Sequence, residues 1–130
     1  MIAINLSGIT MTENLNNLGL ETDQDVQVCH VEKYDDNEIA LSIVTDSGNL
    51  IGWIPKLETI EKYGKEAVKL GDDYKSKMQR QRWADTSFIR DNIITDMFRN
   101  HIKVQGKICR LQYDYETGDI ISVSVMFNYM

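Results

Sequence analysis

Four cations, Lys75, Lys77, Arg80 and Arg82, fall within eight residues with no acid between them, and Trp83 adjoins the last. Cations at that density can follow a phosphate backbone, and an indole beside them can stack on a base. On a helix Lys75 and Arg82 share one side while Lys77 and Arg80 rotate away, so the cluster wraps the axis and forms no single stripe. The competing reading is a solvated helical face, with Trp83 anchoring the helix to the core. Catalytic patterns do not appear. Neither His30 nor His101 has a second ligand at metal spacing. No nucleophile elbow, phosphate-binding glycine loop or HExxH occurs either. Asp46-Ser47-Gly48 is the kind of triplet with which a dimeric retroviral-type aspartic protease pairs two carboxylates. Here Thr45 precedes it, Asn49 follows where a small residue is needed, and a hairpin turn accounts for every position. The chain reads as a non-enzyme that needs no metal and no cofactor.

The formal net charge of −6 argues against a polyanionic partner, but the charge is unevenly spread. Residues 1–55 hold nine acids and one base, residues 56–110 thirteen bases and eight acids, and the remainder three acids. Local field decides whether phosphate is attracted, so the middle of the chain can offer a basic face. The acidic front suits another role. Its carboxylates would imitate DNA phosphates and bind a DNA-processing enzyme, as a small phage-type or mobile-element-type inhibitor would. At 130 residues the chain makes one ordinary domain, 1–130. No apolar run reaches the roughly 18 residues of a membrane span, and no signal-peptide pattern opens the sequence. A cytoplasmic protein is therefore expected. Cys29 and Cys109, far apart and outside any CxxC pattern, are expected as reduced thiols lining the core.

The elements that must position these groups follow from periodicity. Ile2-Ala3-Ile4-Asn5-Leu6 reads as a short strand. Thr10 and Glu13 fit a capping box that opens a helix of about two turns, which Gly19 stops. Residues 25–33 alternate as a strand, and Tyr34-Asp35-Asp36-Asn37 breaks it as a turn, because Asp and Asn bond their own backbone. Ile39, Leu41 and Ile43 begin a hairpin that turns at Asp46-Ser47-Gly48-Asn49 and returns through Leu50-Ile51-Gly52-Trp53-Ile54. Gly52 has no turn to make and so marks a bulge or a close backbone approach, and Pro55 ends the pairing. Leu57, Ile60, Ala67 and Leu70 then lie at helical spacing, with Gly64 weakening that helix by roughly 1 kcal/mol.

Residues 72–100 read as an inserted helical segment. Its apolar residues suit two amphipathic helices meeting near Ala84-Asp85-Thr86-Ser87, with Asp85 or Thr86 as N-cap. Phe88, Ile93, Met97 and Phe98 would either pack on the sheet, the preferred reading, or serve a partner helix or a homodimer. Residues 102–113 and 119–129 make two last strands about a turn at Glu116-Thr117-Gly118-Asp119. The expected fold is α+β: a small twisted antiparallel sheet or barrel of about six strands with the helical segment inserted.

The run Tyr34-Asp35-Asp36-Asn37-Glu38-Ile39, with Ile51-Gly52-Trp53-Ile54-Pro55 and, upstream, Leu6-Ser7-Gly8-Ile9-Thr10, resembles the HIRAN domain family. Its order is a strand with a glycine, a Tyr-Asp turn and strand, then a hairpin into Gly-aromatic-Ile-Pro. The resemblance covers about the first seventy residues well and the last thirty loosely, and the helical segment 72–100 has no counterpart in it. It implies a fold similar to OB-type barrels and a non-catalytic module for single-stranded DNA or DNA 3′ ends, in DNA processing or repair. By the same resemblance Tyr34 would stack on a base, Asp35 would accept a bond from a terminal hydroxyl, and Trp53 would line the pocket or fill the core. Two positions differ from the family's DNA-capturing members. Glu32-Lys33 stands where they carry Asn-Pro, and Thr10-Met11 where they carry Arg-Tyr, and Glu32, Asp35, Asp36 and Glu38 together make the entrance acidic.

Overall fold

The computed structural model describes residues 1–9, 15–31 and 39–129. Alternating apolar residues make strands β1 (Ile2–Asn5), β2 (Asp25–Val31), β3 (Ala40–Thr45), β4 (Leu50–Trp53), β5 (Gln105–Tyr113) and β6 (Ile120–Phe127). Among the described residues they form one antiparallel sheet in the order β1-β6-β5-β2-β3-β4. The sheet curls until its edges meet. Just beyond β1, Ser7 N donates to Trp53 O at 2.8 Å and Trp53 N donates to Ser7 O at 2.9 Å. The molecule is thus an α+β fold, a curled six-stranded antiparallel half-barrel with two helices inserted after β4. No described helix is long and apolar enough to cross a membrane.

The concave face buries Val26, Leu41, Ile43, Ile51, Ile108, Val123 and Val125. Each such side chain contributes roughly 1.5–3 kcal/mol on leaving water. Gly52 fills both roles expected of it. The β3/β4 register shifts between Ile43 and Val44, opposite Gly52 and Leu50. A Cβ on Gly52 would stand 2.9 Å from Ile9 Cγ2 and 3.0 Å from the Ser7 carbonyl oxygen, so the curl depends on a bare backbone there. The hairpin turn before it is held by Thr45, whose hydroxyl accepts from Asn49 N at 3.1 Å.

The inserted helices are α1 (Leu57–Val68) and α2 (Tyr74–Ile94), the latter running into a π-helical turn, Thr95–Arg99. Two helices meeting at residues 84–87 were expected within this stretch; α2 is continuous there. Thr86 is buried and its hydroxyl donates to the Arg82 carbonyl at 2.8 Å, while Asp85 accepts from Gln81 Nε2 at 2.8 Å. Both side chains are satisfied inside the helix, so neither caps a new one. The N-cap is Asp73, which accepts from Ser76 N at 2.7 Å, and that bond holds its carboxyl below the ordinary 3.8. Ile89 and Ile93 are fully buried and Met97 packs against the same core, so this part of the apolar stripe lies within the fold. Phe88 and Phe98 stay partly exposed, and Phe98 meets the His30 ring edge-on at 4.8 Å.

Elsewhere the boundaries tighten. The Thr10–Glu13 capping box lies outside the described residues, and the part that follows is one 3₁₀ turn, Leu15–Asn17, before Gly19 at φ +65°. The strand expected from residue 102 starts at Gln105. Ile102 N is instead drawn to the Asp96 carbonyl at 2.8 Å, and His101 takes φ +54°. The last hairpin turns at Gly118, where Asp114 accepts from the Glu116 and Thr117 backbone N–H groups at 2.8 and 2.9 Å. Those two bonds lower the carboxyl of Asp114.

Candidate functional site

A cleft of about 390 Å³ opens where the sheet edges meet. One wall is Ser7-Gly8, the second Ala40-Leu41, the third Trp53-Ile54, with Lys56 and Thr59 from the start of α1 at the rim. Stretches far apart in sequence converge because β3 and β4 pair and the chain beyond β1 closes onto Trp53. Trp53 is half-buried. Gly8 holds φ +69°, and a Cβ there would stand 2.7 Å from Trp53 Cδ1, so the indole edge rests on bare backbone. The polar backbone of the seam is already paired: Ser7 and Trp53 with each other, Ile54 N with the Leu41 carbonyl at 2.9 Å. What the cleft offers is therefore mostly apolar wall, one aromatic ring and a polar rim, a surface suited to a flat group held by stacking.

Tyr34 and Asp35 lie outside the described residues. The chain resumes at Ile39, directly before the Ala40-Leu41 wall.

The cationic cluster occupies the α1–α2 pair. Lys75 and Lys77 are exposed on α2. Arg80 points inward along the helix pair, its Nη1 donating to the carbonyls of Ala67, Leu70 and Gly71 at 3.4, 3.2 and 3.0 Å. That arrangement caps the C-terminal end of α1, where unpaired carbonyls and the helix dipole favour a cation. Arg82 stacks its guanidinium over Trp83 at 4.9 Å. Trp83 in turn stacks on Tyr63 at 5.3 Å and 16°, and Lys62 stands over Tyr63 at 5.4 Å. So Trp83 anchors the two helices, and Arg80 is engaged in structure. The cleft meets α1 at Thr59, whereas Arg80 meets it from Ala67 onward, about 12 Å farther along the helix axis. The cleft and the cationic cluster are thus separate surfaces of the molecule, as the sequence reading also treated them.

Arg90 is the residue that the pattern reading missed. It is 3% exposed, and it donates to the carbonyls of Pro55, at 3.3 Å, and of Ile39, on either side of the cleft. A signal was present: Thr86, Ile89, Arg90 and Ile93 share the i, i+3, i+4, i+7 spacing of a buried helix face.

Other reactive groups do not join this site. Among the described residues no three His, Cys, Asp or Glu side chains gather to hold a metal ion. Cys29 and Cys109 are free thiols, and burial pushes the Cys109 thiol up. Tyr129 donates to Asp96 Oδ2 at 2.7 Å, and burial together with that carboxylate raises its hydroxyl well above the ordinary 10.0. Comparison with protein-family models, with curated proteins and with solved structures gave no match.

Proposed function

We propose that this chain is a HIRAN-like, non-catalytic module that binds single-stranded DNA, most readily at a free 3′ end, and works in DNA processing or repair within the cytoplasm. The observation that carries the proposal is the seam cleft. It brings together Ser7-Gly8, Ala40-Leu41 and Trp53-Ile54, which lie within or directly after the three stretches that carry the family resemblance. Trp53 would supply the stacking face, Tyr34 a second one, and Asp35 the acceptor for the terminal hydroxyl. Lys75 and Lys77 would meet phosphates farther along the strand.

Fluorescence anisotropy with a labelled oligonucleotide tests this, comparing a 3′-hydroxyl with a 3′-phosphate at two salt concentrations. The hydroxyl end should bind more tightly, and Trp53→Ala or Tyr34→Ala should each weaken binding about 5- to 150-fold, the range for loss of one stacked base. An absence of binding at either salt would remove the DNA reading. The acidic front, with nine acids against one base in residues 1–55, would then favour a DNA-processing enzyme as the partner.

A further inference from the structure

Arg90 stands between Ile89 and Ile93 on the buried face of α2, yet its guanidinium leaves the apolar core to reach two carbonyls. Those acceptors, Ile39 and Pro55, flank the final backbone rung between β3 and the chain after β4, Ile54 N to Leu41 O at 2.9 Å. Pro55 has no N–H, so backbone pairing cannot extend past that rung. A planar fork with several donors can bridge two acceptors held side by side; a single-ended cation on a flexible stem does so less well.

We infer that Arg90 is a positioning residue for the cleft. By holding the Ile39 and Pro55 carbonyls together it sets the spacing between the Ala40-Leu41 wall and the Trp53-Ile54 wall. Helix α2 thereby becomes part of the site. Ile39 is also where the chain returns from residues 32–38, so the same contact secures one end of the stretch that carries Tyr34 and Asp35. The consequence for DNA rests on the function proposed above; the spacing of the walls does not.

The test uses the full chain in a Trp83→Phe background, where Trp53 is the single tryptophan. Arg90, Arg90→Lys and Arg90→Met are compared by amide hydrogen exchange, acrylamide quenching of Trp53 and oligonucleotide affinity. Arg90→Met should speed exchange at the Ile54 amide at least 10-fold relative to the Val123 and Val125 amides, make Trp53 easier to quench, and lower affinity at least 10-fold. Arg90→Lys keeps the cation without the fork and should show the same changes, several-fold smaller. A residue that served stability alone would speed all core amides together and leave Trp53 quenching of the folded protein unchanged, and that result overturns the inference. If Arg90→Met does not fold, Arg90→Lys decides: Ile54 exchange and Trp53 quenching identical to the parent also overturn it. If the parent binds no oligonucleotide, the DNA reading falls while exchange and quenching still judge Arg90.

Discussion

Gly8 and Trp53 meet closely in the cleft, and they can do so only because Gly8 lacks a Cβ. A methyl group there would meet Trp53 Cδ1 at 2.7 Å on a backbone already at φ +69°. Gly8→Ala should therefore lose about 1–2 kcal/mol from the left-handed backbone alone, with a further loss from displacing the indole. A urea titration together with Trp53 emission, both in the Trp83→Phe background, reads both. Asp73 makes a different prediction, one of pH. Its folded value lies below the ordinary 3.8 because the Ser76 N–H holds the charged form. The stabilisation is complete above about pH 4 and is lost as pH falls through the lowered value. Thermal melts between pH 5 and 2 should fall less steeply in Asp73→Asn than in the parent. At this scale the turn and glycine chemistry was legible in advance: Gly48 at φ +86° and Gly118 at φ +74° sit in the turns expected of them. The task of Arg90 was not, because it depends on two carbonyls far away in sequence.

Helix α2 shows why four cations in a row do not make one binding surface. Periodicity places them on a helix, but the partner helix decides which remain available. Arg80 faces the end of α1 and binds its carbonyls, Arg82 covers Trp83, and Lys75 and Lys77 stay in water. Arg80→Ala should lower stability by about 1 kcal/mol, the scale of a charge at a helix C-terminus, and, on the function proposed above, leave the salt dependence of oligonucleotide binding unchanged. Lys77→Ala should do the reverse, keeping stability within about 0.5 kcal/mol and reducing the slope of log affinity against log salt by about 0.7. Equal slopes for the parent and both variants would remove α2 from the proposed DNA contact. Gly64 is read differently in place. A weaker helix was expected there; α1 runs unbroken through it, and the position it leaves bare lies over Trp83, 4.0 Å from the Trp83 Cβ. The expected break at residues 84–87 failed for a similar reason: Asp and Thr cap helices only when their side chains are not already bonded within one.

Across the molecule, closure is shared between the sheet and the insert. The seam joins Ser7 to Trp53, α2 packs on β1, and Tyr129 near the C-terminus is bonded to Asp96 in the π-helical turn. The hydroxyl of Tyr129 is raised above its ordinary 10.0, so its contribution is full below pH 10 and lost as pH rises through the raised value. Alkaline melts should show the parent losing stability more steeply above pH 10 than Tyr129→Phe. Sequence alone determined the strands, the hairpin turns at Gly48 and Gly118 and the presence of a helical insert, since alternation, helical spacing and turn residues are local properties of the chain. It also placed Gly52 at a close approach, because glycine inside a strand has few other uses. The order of the strands, the meeting of Ser7-Gly8 with Trp53, the division of the cationic cluster and the reach of Arg90 were decided only by tertiary structure. Each depends on which distant backbone groups are left unpaired when the sheet curls, and no window of the sequence contains both partners.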